Sequence, residues 1–288
     1  MKIKKAIFPV AGFGTRLLPA TKAIPKELIP VWDKPILHHV VEECTNSKIE
    51  EILFITSSGK EIILDYFDRN PSLEEHLKKK EKEKELEDVK KTSNLANFYS
   101  IRQREIKGLG HAILQGKKWI GNEPFAVILT DDLVISKVPC IKQLINVFEK
   151  YKMPVIALEE IPKEETFKYG IIQGEEIEEN VFKINNMVEK PTPKSAPSNL
   201  AIIGRYILTP EIFQFIENTK EGKGGEIQLT DALQKYTPKG ILGYKFDGIR
   251  CDMGTPEGFL LTNLVYALNI NSLKPLVLEI LSRLSPYL

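Results

Sequence analysis

A glycine-rich turn near the N-terminus carries the strongest chemical signal in the sequence. An apolar run leads into Ala11-Gly12-Phe13-Gly14-Thr15-Arg16, and Lys26 follows ten residues after Arg16. Glycines allow backbone N–H groups to approach phosphate closely, because no Cβ stands in the way and positive φ is accessible. Arg16 can bind a polyphosphate through two parallel hydrogen bonds, and Lys26 adds a second positive charge. The joint pattern predicts a site for a nucleoside triphosphate.

Other phosphate-binding patterns fit this turn less well. A dinucleotide fingerprint needs a third glycine where this chain has Leu17, which argues against a Rossmann dehydrogenase. A Walker A loop would end in Gly-Lys-Ser or Gly-Lys-Thr. A plain strand-to-helix turn accounts for the two glycines but leaves the two cations unexplained.

Acidic residues at two places could bind a metal ion. Asp131 and Asp132 end the apolar run that starts at 125, and a carboxylate at the carboxyl end of such a strand points into the crevice where ligands bind. Because Mg²⁺ prefers oxygen ligands, we predict that Asp131 is a metal ligand, although one of the two acids could equally cap a helix. Asp252 is the second candidate, and its surroundings also fit a helix that Thr255 caps and Pro256 begins.

An acid and a base stand side by side where another strand-like stretch ends, at Glu189 and Lys190. A carboxylate accepts hydrogen bonds from vicinal sugar hydroxyls and an ammonium binds phosphate, so the pair suits a sugar phosphate. An exposed surface ion pair is the alternative.

Composition narrows the class of protein. The chain has 288 residues, of which 42% are hydrophobic and 27% charged, enough to bury a substantial core. A formal charge of +1 gives no general electrostatic reason to bind nucleic acid or a membrane surface. No apolar run is long enough to span a bilayer, and the N-terminal run, interrupted by Pro9, is typical of a strand rather than a signal peptide.

Cysteines and histidines point to no metal site. The three cysteines are far apart and form no CxxC pair, which suits a reducing compartment, so we expect a cytoplasmic protein. The four histidines lack metal-ligand spacing.

An α/β fold must position the candidate residues. Apolar runs of strand length lie at 4–10, 51–56, 125–130 and 154–158, and their lack of alternation predicts strands buried on both faces. We therefore predict a three-layer α/β/α, Rossmann-like fold with a mixed, mostly parallel sheet. Between the runs, one face of a predicted helix consists of Ile141, Leu144, Ile145 and Phe148.

The second half of the chain changes character. Extended stretches separated by turn signals predict a β-rich lobe on the sugar side. We expect a single domain over 1–288, in which 1–160 mainly binds nucleotide, 161–255 mainly binds sugar phosphate and 256–288 forms C-terminal helices. The stretch from Leu273 to Leu288 has an apolar helical face that must pack on its own body or on a partner. That face consists of Val277, Ile280, Leu281 and Leu284.

A strongly charged segment lies at 72–91. Its portion 74–91 has seven lysines and seven acids, and pairs such as Glu74 with Lys78 and Glu75 with Lys79 support a helix. We predict a solvated helical excursion rather than a nucleic-acid-binding arm. Its two ends could be anchored by Leu73, Leu77, Leu86 and Val89.

Taken together, these motifs resemble the bacterial UTP:glucose-1-phosphate uridylyltransferases, which have the nucleotide-diphospho-sugar transferase fold. The helical insertion at 72–91, longer than in the related thymidylyltransferases, favours uridine. Thr130 departs from the proline usual in the family and Met253 occupies a variable position, but neither change removes a charged group. Collinear matches extend from residue 6 to about 235 and more loosely through CDMGTPEGFL; they are AGFGTRLLPATKAIPKELIPVWDKPILHHVVEE, KGLGHAIL, FAVILTDDL, YGII, VEKP, APSNLAIIGRYIL and GGEIQLTDAL.

The resemblance implies a role for each candidate residue. The uracil would be held by the backbone at Ala11 and Gly12, the side chain of Gln103 and Gly108, in a nucleotide site that includes Gly14 and Thr15. Arg16 and Lys26 would bind the triphosphate, Asp131 and Asp252 would bind Mg²⁺, and glucose 1-phosphate would be held by Gly170, Glu189 and Lys190.

The implied activity is transfer of UMP from UTP to α-D-glucose 1-phosphate with release of pyrophosphate. The sugar-phosphate oxygen would attack the α-phosphorus in line, without a covalent enzyme intermediate or a general base. A dTTP-dependent thymidylyltransferase stays open, as does galactose 1-phosphate as the acceptor. A catalytically silent sugar-nucleotide sensor fits less well, because it could lack Asp131 or Lys26. The family also implies a homotetramer or homodimer.

Overall fold

A computed structural model describes residues 2–285, apart from the side chain of Lys223. The strands are β1 (Lys5–Pro9), β2 (Pro30–Val31), β3 (Lys34–Pro35), β4 (Glu51–Thr56), β5 (Asn97–Arg102), β6 (Phe125–Ile128), β7 (Asp132–Ile135), β8 (Val155–Glu160), β9 (Gly170–Glu178), β10 (Val181–Glu189), β11 (Leu200–Leu208), β12 (Leu242–Lys245) and β13 (Ile249–Asp252). The helices are α1 (Ile36–Asn46), α2 (Ile62–Phe67), α3 (Pro71–Lys79), α4 (Glu83–Ser93), α5 (Gly108–Gln115), α6 (Lys117–Ile120), α7 (Cys140–Tyr151), α8 (Ile212–Glu217), α9 (Leu229–Tyr236), α10 (Pro256–Asn269) and α11 (Lys274–Leu284).

Nine of these strands form one central sheet, in the order β5-β4-β1-β6-β11-β8-β12-β10-β9. Its strands run in one direction except β10 and β11, which pair antiparallel with their neighbours. The predicted strand at 51–56 is β4 over its whole length, and the other three predicted strands coincide with β1, β6 and β8 to within two residues. The mixed, mostly parallel sheet is confirmed.

Both faces of the sheet are buried against helices. In β4, Ile52 and Phe54 pack into an apolar core with α1 and α7, whereas Leu53 and Ile55 pack into a second core with α5, α8 and α9. Successive side chains of a strand point to opposite faces, so a strand covered on both faces is apolar throughout. This explains the continuous apolar runs and confirms the three-layer arrangement. The predicted helix is α7, and its apolar face is buried at Ile141, Leu144, Ile145 and Phe148.

The charged segment at 72–91 forms two helices, α3 and α4, that pack on each other. The predicted ion pair between Glu75 and Lys79 is present at 2.7 Å. The predicted pairing of Glu74 with Lys78 is wrong, because Glu74 accepts two hydrogen bonds, of 3.1 and 2.7 Å, from the guanidinium of Arg69. Among the predicted anchors Leu77 is buried, Leu86 and Val89 are half-buried, and Leu73 is exposed, so the prediction for Leu73 is wrong.

The C-terminal helices leave an apolar face uncovered. On α11, Val277 is buried, but Ile280, Leu281 and Leu284 are each between 44% and 49% exposed. The last three residues of the predicted stretch that begins at Leu273, 286–288, lie outside the described residues. Among the helices of residues 2–285, none combines the length and the apolar character needed to cross a membrane.

The three cysteines, Cys44, Cys140 and Cys251, are free thiols, and each is buried. Burial raises the pKa of all three above the ordinary value for a thiol. They are therefore protonated at neutral pH and behave as small apolar side chains.

The start of α10 follows the sequence prediction. Thr255 Oγ1 accepts a hydrogen bond of 3.1 Å from the backbone N–H of Gly258, and Pro256 is the first residue of the helix. The cap satisfies one of the backbone donors that the first turn of a helix leaves without an intrahelical partner.

We expect Thr255→Ala to lower the free energy of unfolding by about 1 kcal/mol, because the substitution removes this cap. Thr255→Ser keeps the hydroxyl and should stay close to the wild type. Urea-induced unfolding followed by circular dichroism measures both. An equal loss in the serine variant would contradict the capping role.

Candidate active site

A cavity of about 990 Å³ lies beyond the carboxyl ends of β1 and β6. The predicted site residues in its wall are Arg16, Lys26, Asp131, Gly170, Glu189, Lys190 and Asp252. The structure thus brings together residues from the start, the middle and the end of the chain. The predicted base-binding residues lie on the turns that follow β1 and β5 and at the start of α5; they are Ala11, Gly12, Gly14, Thr15, Gln103 and Gly108.

An ion pair forms the centre of the cavity. Lys26 Nζ lies 2.8 Å from Asp131 Oδ2, and Arg16 Nη2 lies 3.6 Å from the same oxygen. Burial by itself raises the pKa of Asp131, but the charges of Lys26 and Arg16 outweigh it and bring the pKa to about 2. Burial likewise lowers the pKa of Lys26, and the charges of Asp131 and Glu27 more than compensate. Both partners are therefore charged at neutral pH.

Two structural features place Lys26 there. Gly14 has φ of +68°, and a Cβ on it would lie 3.2 Å from the Cβ of Lys26, so the glycine leaves room for the lysine. Below the turn, the buried ammonium of Lys60 binds the carboxylate of Glu27 at 2.9 Å and the carbonyl oxygen of Val10. This contact joins the turn after β1 to the segment that carries Lys26.

Asp131 and its neighbour Asp132 have different environments. Asp132 begins β7, so the alternative that it caps a helix is wrong. Its Oδ1 accepts a 2.7 Å hydrogen bond from Arg250 Nε, and its Oδ2 accepts one of 3.3 Å from the N–H of Gly204. Burial raises the pKa of Asp132; Arg250 opposes this shift, and the charge of Asp131 adds to it. Both aspartates line the cavity. Asp131 is paired with the cations Lys26 and Arg16, whereas Asp132 is hydrogen-bonded to Arg250 and to the backbone of β11.

Arg250 connects the two sides of the cavity. Beyond Asp132, its guanidinium contacts Glu159 at 3.2 Å, the hydroxyl of Tyr169 at 3.2 Å and Asp252 at 3.4 Å. It also lies 5.0 Å from the centre of the Tyr169 ring, a cation–π contact. Sequence reasoning gave Arg250 no role, although its position two residues before Asp252, on one face of a strand, was a usable signal.

Asp252 lies beside the segment that carries Asp131. The β7–β13 pairing places Asp252 opposite Asp132, and Met253 N–H donates to the carbonyl of Asp131 at 2.8 Å. Within residues 2–285, no group of three or more His, Cys, Asp or Glu side chains could enclose a metal ion. Mg²⁺ is commonly held by one or two carboxylates together with substrate phosphates, so two aspartates fit such an ion.

Of the residues predicted to bind the sugar phosphate, Gly170 and Glu189 lie on the paired strands β9 and β10, and Lys190 directly follows β10. Gly170 is opposite Glu189, and a Cβ on Gly170 would lie 3.0 Å from Thr230 Oγ1 and 3.3 Å from Glu189 Oε2. Lys190 Nζ lies 3.4 Å from Glu189 Oε1, so the two form an ion pair; both residues line the cavity, and the Lys190 side chain is 42% exposed. Glycine at 170 keeps this wall open.

The base-side residues are held by hydrogen bonds and close packing. Buried Gln103 has its amide nitrogen 3.3 Å from the carbonyl of Gly108 and 2.9 Å from His111 Nδ1. Gly108 has φ of +87°, and a Cβ on it would lie 2.7 Å from the Cβ of Glu226. Because Glu226 lines the cavity, Gly108 packs directly against the cavity wall.

Several cavity residues escaped sequence reasoning. Each stands in or beside a stretch that was singled out, but nothing in its local pattern indicated that its side chain would reach the cavity. They include Lys168, Tyr169, Tyr206, Gln228 and Thr230.

Comparison with known proteins gives one consistent result. Residues 5–267 match the family model described as nucleotidyl transferase. A UTP--glucose-1-phosphate uridylyltransferase of Pseudomonas aeruginosa is 50% identical over 268 residues, which covers 92% of this chain and 96% of that protein. The crystal structure of a UDP-glucose pyrophosphorylase complexed with UDP-glucose is similar with a TM-score of 0.85 and 46% identity, covering 92% of this chain and 98% of that one. A UTP-bound UGPase from Acinetobacter baumannii gives a TM-score of 0.88 and 37% identity, with 96% and 99% covered.

The charge on Asp131 makes a testable contribution to stability. Its pKa falls from 3.8 to about 2 on folding, which corresponds to roughly 2 kcal/mol at pH 7. Because the folded-state pKa is the lower one, the contribution is complete well above pH 3.8 and is lost as pH falls towards 2. We expect the difference in unfolding free energy between wild type and Asp131→Asn to be constant from pH 7 to pH 5. It should shrink by about half at pH 3.

Urea unfolding of both proteins at pH 7, 5 and 3 measures this difference. Glu75→Gln, which removes an exposed carboxylate from a surface pair, is the control and should show little pH dependence. If the difference between wild type and Asp131→Asn does not change down to pH 3, the ion pair is ruled out.

Proposed function

The chain belongs to the nucleotidyl transferase family, and on this premise we propose that it transfers UMP from UTP to α-D-glucose 1-phosphate, giving UDP-glucose and pyrophosphate. One observation carries the proposal. The cationic pair Arg16 and Lys26 and the sugar-side pair Glu189 and Lys190 line the same cavity. A nucleotide bound at one pair and a sugar phosphate bound at the other would meet inside it.

The proposed chemistry is a single in-line displacement. An oxygen of the sugar phosphate forms a bond to the α-phosphorus of UTP, while the bond from that phosphorus to the oxygen of the β-phosphate breaks. Pyrophosphate leaves with the electron pair of the broken bond. A phosphate monoester is already an anionic nucleophile at neutral pH, so no general base is needed, and none of the described residues that line the cavity is a histidine.

Positioning and positive charge supply most of the catalysis in phosphoryl-group chemistry. Arg16 and Lys26 would bind the triphosphate and stabilise the charge that develops on the departing pyrophosphate. Glu189 would accept hydrogen bonds from sugar hydroxyls, Lys190 would bind the sugar phosphate, and the backbone at Gly170 would leave space for the sugar. On the other side, the uracil would contact Ala11, Gly12, Gln103 and Gly108, next to Gly14 and Thr15.

We propose Mg²⁺ as the cofactor, held by Asp131 and Asp252. The ion would supply Lewis-acid neutralisation of the charge on the α-phosphate. Because Lys26 Nζ lies 2.8 Å from Asp131 Oδ2, the lysine would share this carboxylate with the metal ion. The positive charge of Lys26 would then be paired with both the Asp131 carboxylate and the phosphates.

Assembly and cellular location are part of the same proposal. The exposed apolar residues of α11, Ile280, Leu281 and Leu284, support self-association as a homodimer or homotetramer. The mass in solution, set against 32.7 kDa for one chain, tests this. The three free, buried thiols support a cytoplasmic location. Residues 1–160 would mainly serve the nucleotide, residues 161–255 the sugar phosphate, and residues 256–288 would be C-terminal helices of the same single domain.

One activity panel tests the reaction and both substrates. Purified protein with Mg²⁺ is supplied with UTP or dTTP, crossed with glucose or galactose 1-phosphate, and pyrophosphate release is measured. We expect the highest kcat/KM for UTP with glucose 1-phosphate. Preference for dTTP would identify a thymidylyltransferase, and preference for galactose 1-phosphate would change the acceptor. Binding of nucleotide without any release of pyrophosphate would identify a sugar-nucleotide sensor.

We expect Arg16→Ala to lower turnover by two orders of magnitude or more, because it removes a charge that stabilises the leaving group. The fold should be unaffected, since the Arg16 side chain is 62% exposed. The matched control is Arg69→Ala, which removes a guanidinium 66% exposed on the surface pair with Glu74. Turnover of the Arg16 variant near that of the Arg69 variant would refute the assignment.

A further inference from the structure

A buried arginine lies directly behind the cavity wall. Arg205, on β11, is the largest fully buried side chain among the described residues. Its neighbours on the strand, Ile202, Gly204 and Tyr206, line the cavity, so Arg205 points to the opposite face of the sheet. Arg205 itself does not line the cavity, so it would touch neither substrate.

Arg205 forms an ion pair with Glu43 of α1. Nη2 lies 2.8 Å from Oε2, and Nε lies 3.1 Å from both carboxylate oxygens. Burial lowers the pKa of the guanidinium, but the charge of Glu43 more than compensates and holds it above the ordinary value. Glu43 is itself fixed, since Oε1 accepts a 2.9 Å hydrogen bond from the N–H of Ile141 at the start of α7. A buried ion pair is by itself weak evidence for stability, because desolvation offsets the attraction of the two charges.

The other hydrogen bonds of Arg205 go to the backbone. Nη1 donates to the carbonyl of Leu129 at 2.9 Å, and Nη2 donates to the carbonyl of Asp132 at 2.7 Å. These two residues flank Thr130 and Asp131. One planar guanidinium thus holds the chain on both sides of the residue that pairs with Lys26.

This segment has little other support of its own. β6 ends at Ile128 and β7 begins at Asp132, so residues 129–131 belong to neither strand. Leu129 N–H donates to the carbonyl of Gly204 at 2.8 Å, and Met253 N–H donates to the carbonyl of Asp131 at 2.8 Å. The close approach to β11 also needs glycine, since a Cβ on Gly204 would lie 2.6 Å from the Cβ of Leu129.

We propose that Arg205 is a positioning residue for the reaction, which fixes the direction of the Asp131 carboxylate through the carbonyls of Leu129 and Asp132. The inference rests on the proposed function, in which Asp131 holds the metal ion. A displacement of about 1 Å at such a position can lower turnover by about 100-fold. Binding of the substrates depends on other residues and should change much less.

Two variants separate positioning from stability. Arg205→Lys keeps the positive charge but loses the planar fork, and we expect kcat to fall about 100-fold while KM for UTP and for glucose 1-phosphate changes only a few-fold. Arg205→Met with Glu43→Leu replaces the ion pair by apolar side chains, a change that often preserves stability. We expect this double variant to have a melting temperature near that of the wild type and a low kcat. Recovery of kcat together with stability would overturn the proposal.

Ile63→Ala serves as the matched control. It truncates a fully buried side chain of α2 that does not line the cavity, so it should lower the melting temperature while leaving kcat close to the wild-type value. A 100-fold loss of kcat in this variant would mean that destabilisation alone explains the effect of Arg205→Lys.

Amide hydrogen exchange supplies a readout that does not depend on activity. Exchange at Leu129 and Met253 should accelerate in both Arg205 variants, whereas exchange in β4 should stay unchanged. Unchanged exchange at Leu129 and Met253 would overturn the proposal even if kcat fell.

The exchange measurement also separates this proposal from the proposed function. If the wild type released no pyrophosphate, the proposed function would be wrong, but the exchange rates at Leu129 and Met253 would still test whether Arg205 holds this segment in place. If neither arginine variant folds, Glu43→Gln, which keeps the shape of the partner, is measured with the same expectations.

Discussion

The ion pair between Lys26 and Asp131 joins two segments that lie 105 residues apart in the chain. Its geometry depends on support from both sides. On the lysine side, Gly14 leaves room for the side chain, and Lys60 fixes the segment through Glu27. On the aspartate side, residues 129–132 lie against β11, the strand that carries Arg205. Two charges can stay close together in a partly buried place only when their surroundings restrict them, because loosely held charges would regain water instead.

Charge alternates along the rest of the cavity wall. Lys26 forms an ion pair with Asp131. Arg250 forms ion pairs with Asp132, Glu159 and Asp252. Each of these carboxylates has a cation beside it, which offsets part of the repulsion among the acidic groups. A chain with a formal charge of only +1 can therefore offer local positive charge to a triphosphate.

Sequence reasoning predicted those features that depend on neighbours along the chain. The strands were visible because burial on both faces makes a run apolar throughout, and the cap at Thr255 was visible because its partner, Gly258, is three residues away. The ion pairs of Arg205 and Arg250 could not be predicted from neighbours along the chain. The carboxylate partner of Arg205, Glu43, lies 162 residues away, and that of Arg250, Asp132, lies 118 residues away. Those contacts exist because α1 packs on the face of the sheet to which Arg205 points and because β13 pairs with β7. Spacing also misled at Glu74, where an arginine outside the helix offered two parallel hydrogen bonds and Lys78 could offer only a point charge.

The reversed strand β11 explains how both sides of the cavity keep a fixed separation. Its residue Gly204 contacts the segment of Asp131, and its residue Ile202 packs against Gly170 on the sugar side. Both residues line the cavity, so one strand links the segment of Asp131 to the strand that begins at Gly170. A reaction that must hold two polyanions within bonding distance needs such a constant separation more than it needs strong binding of either one. The strand β11 provides it, because it pairs with β6 from Arg205 to Leu208 and with β8 on both sides of an irregularity between Ile202 and Tyr206, so it cannot shift without breaking hydrogen bonds.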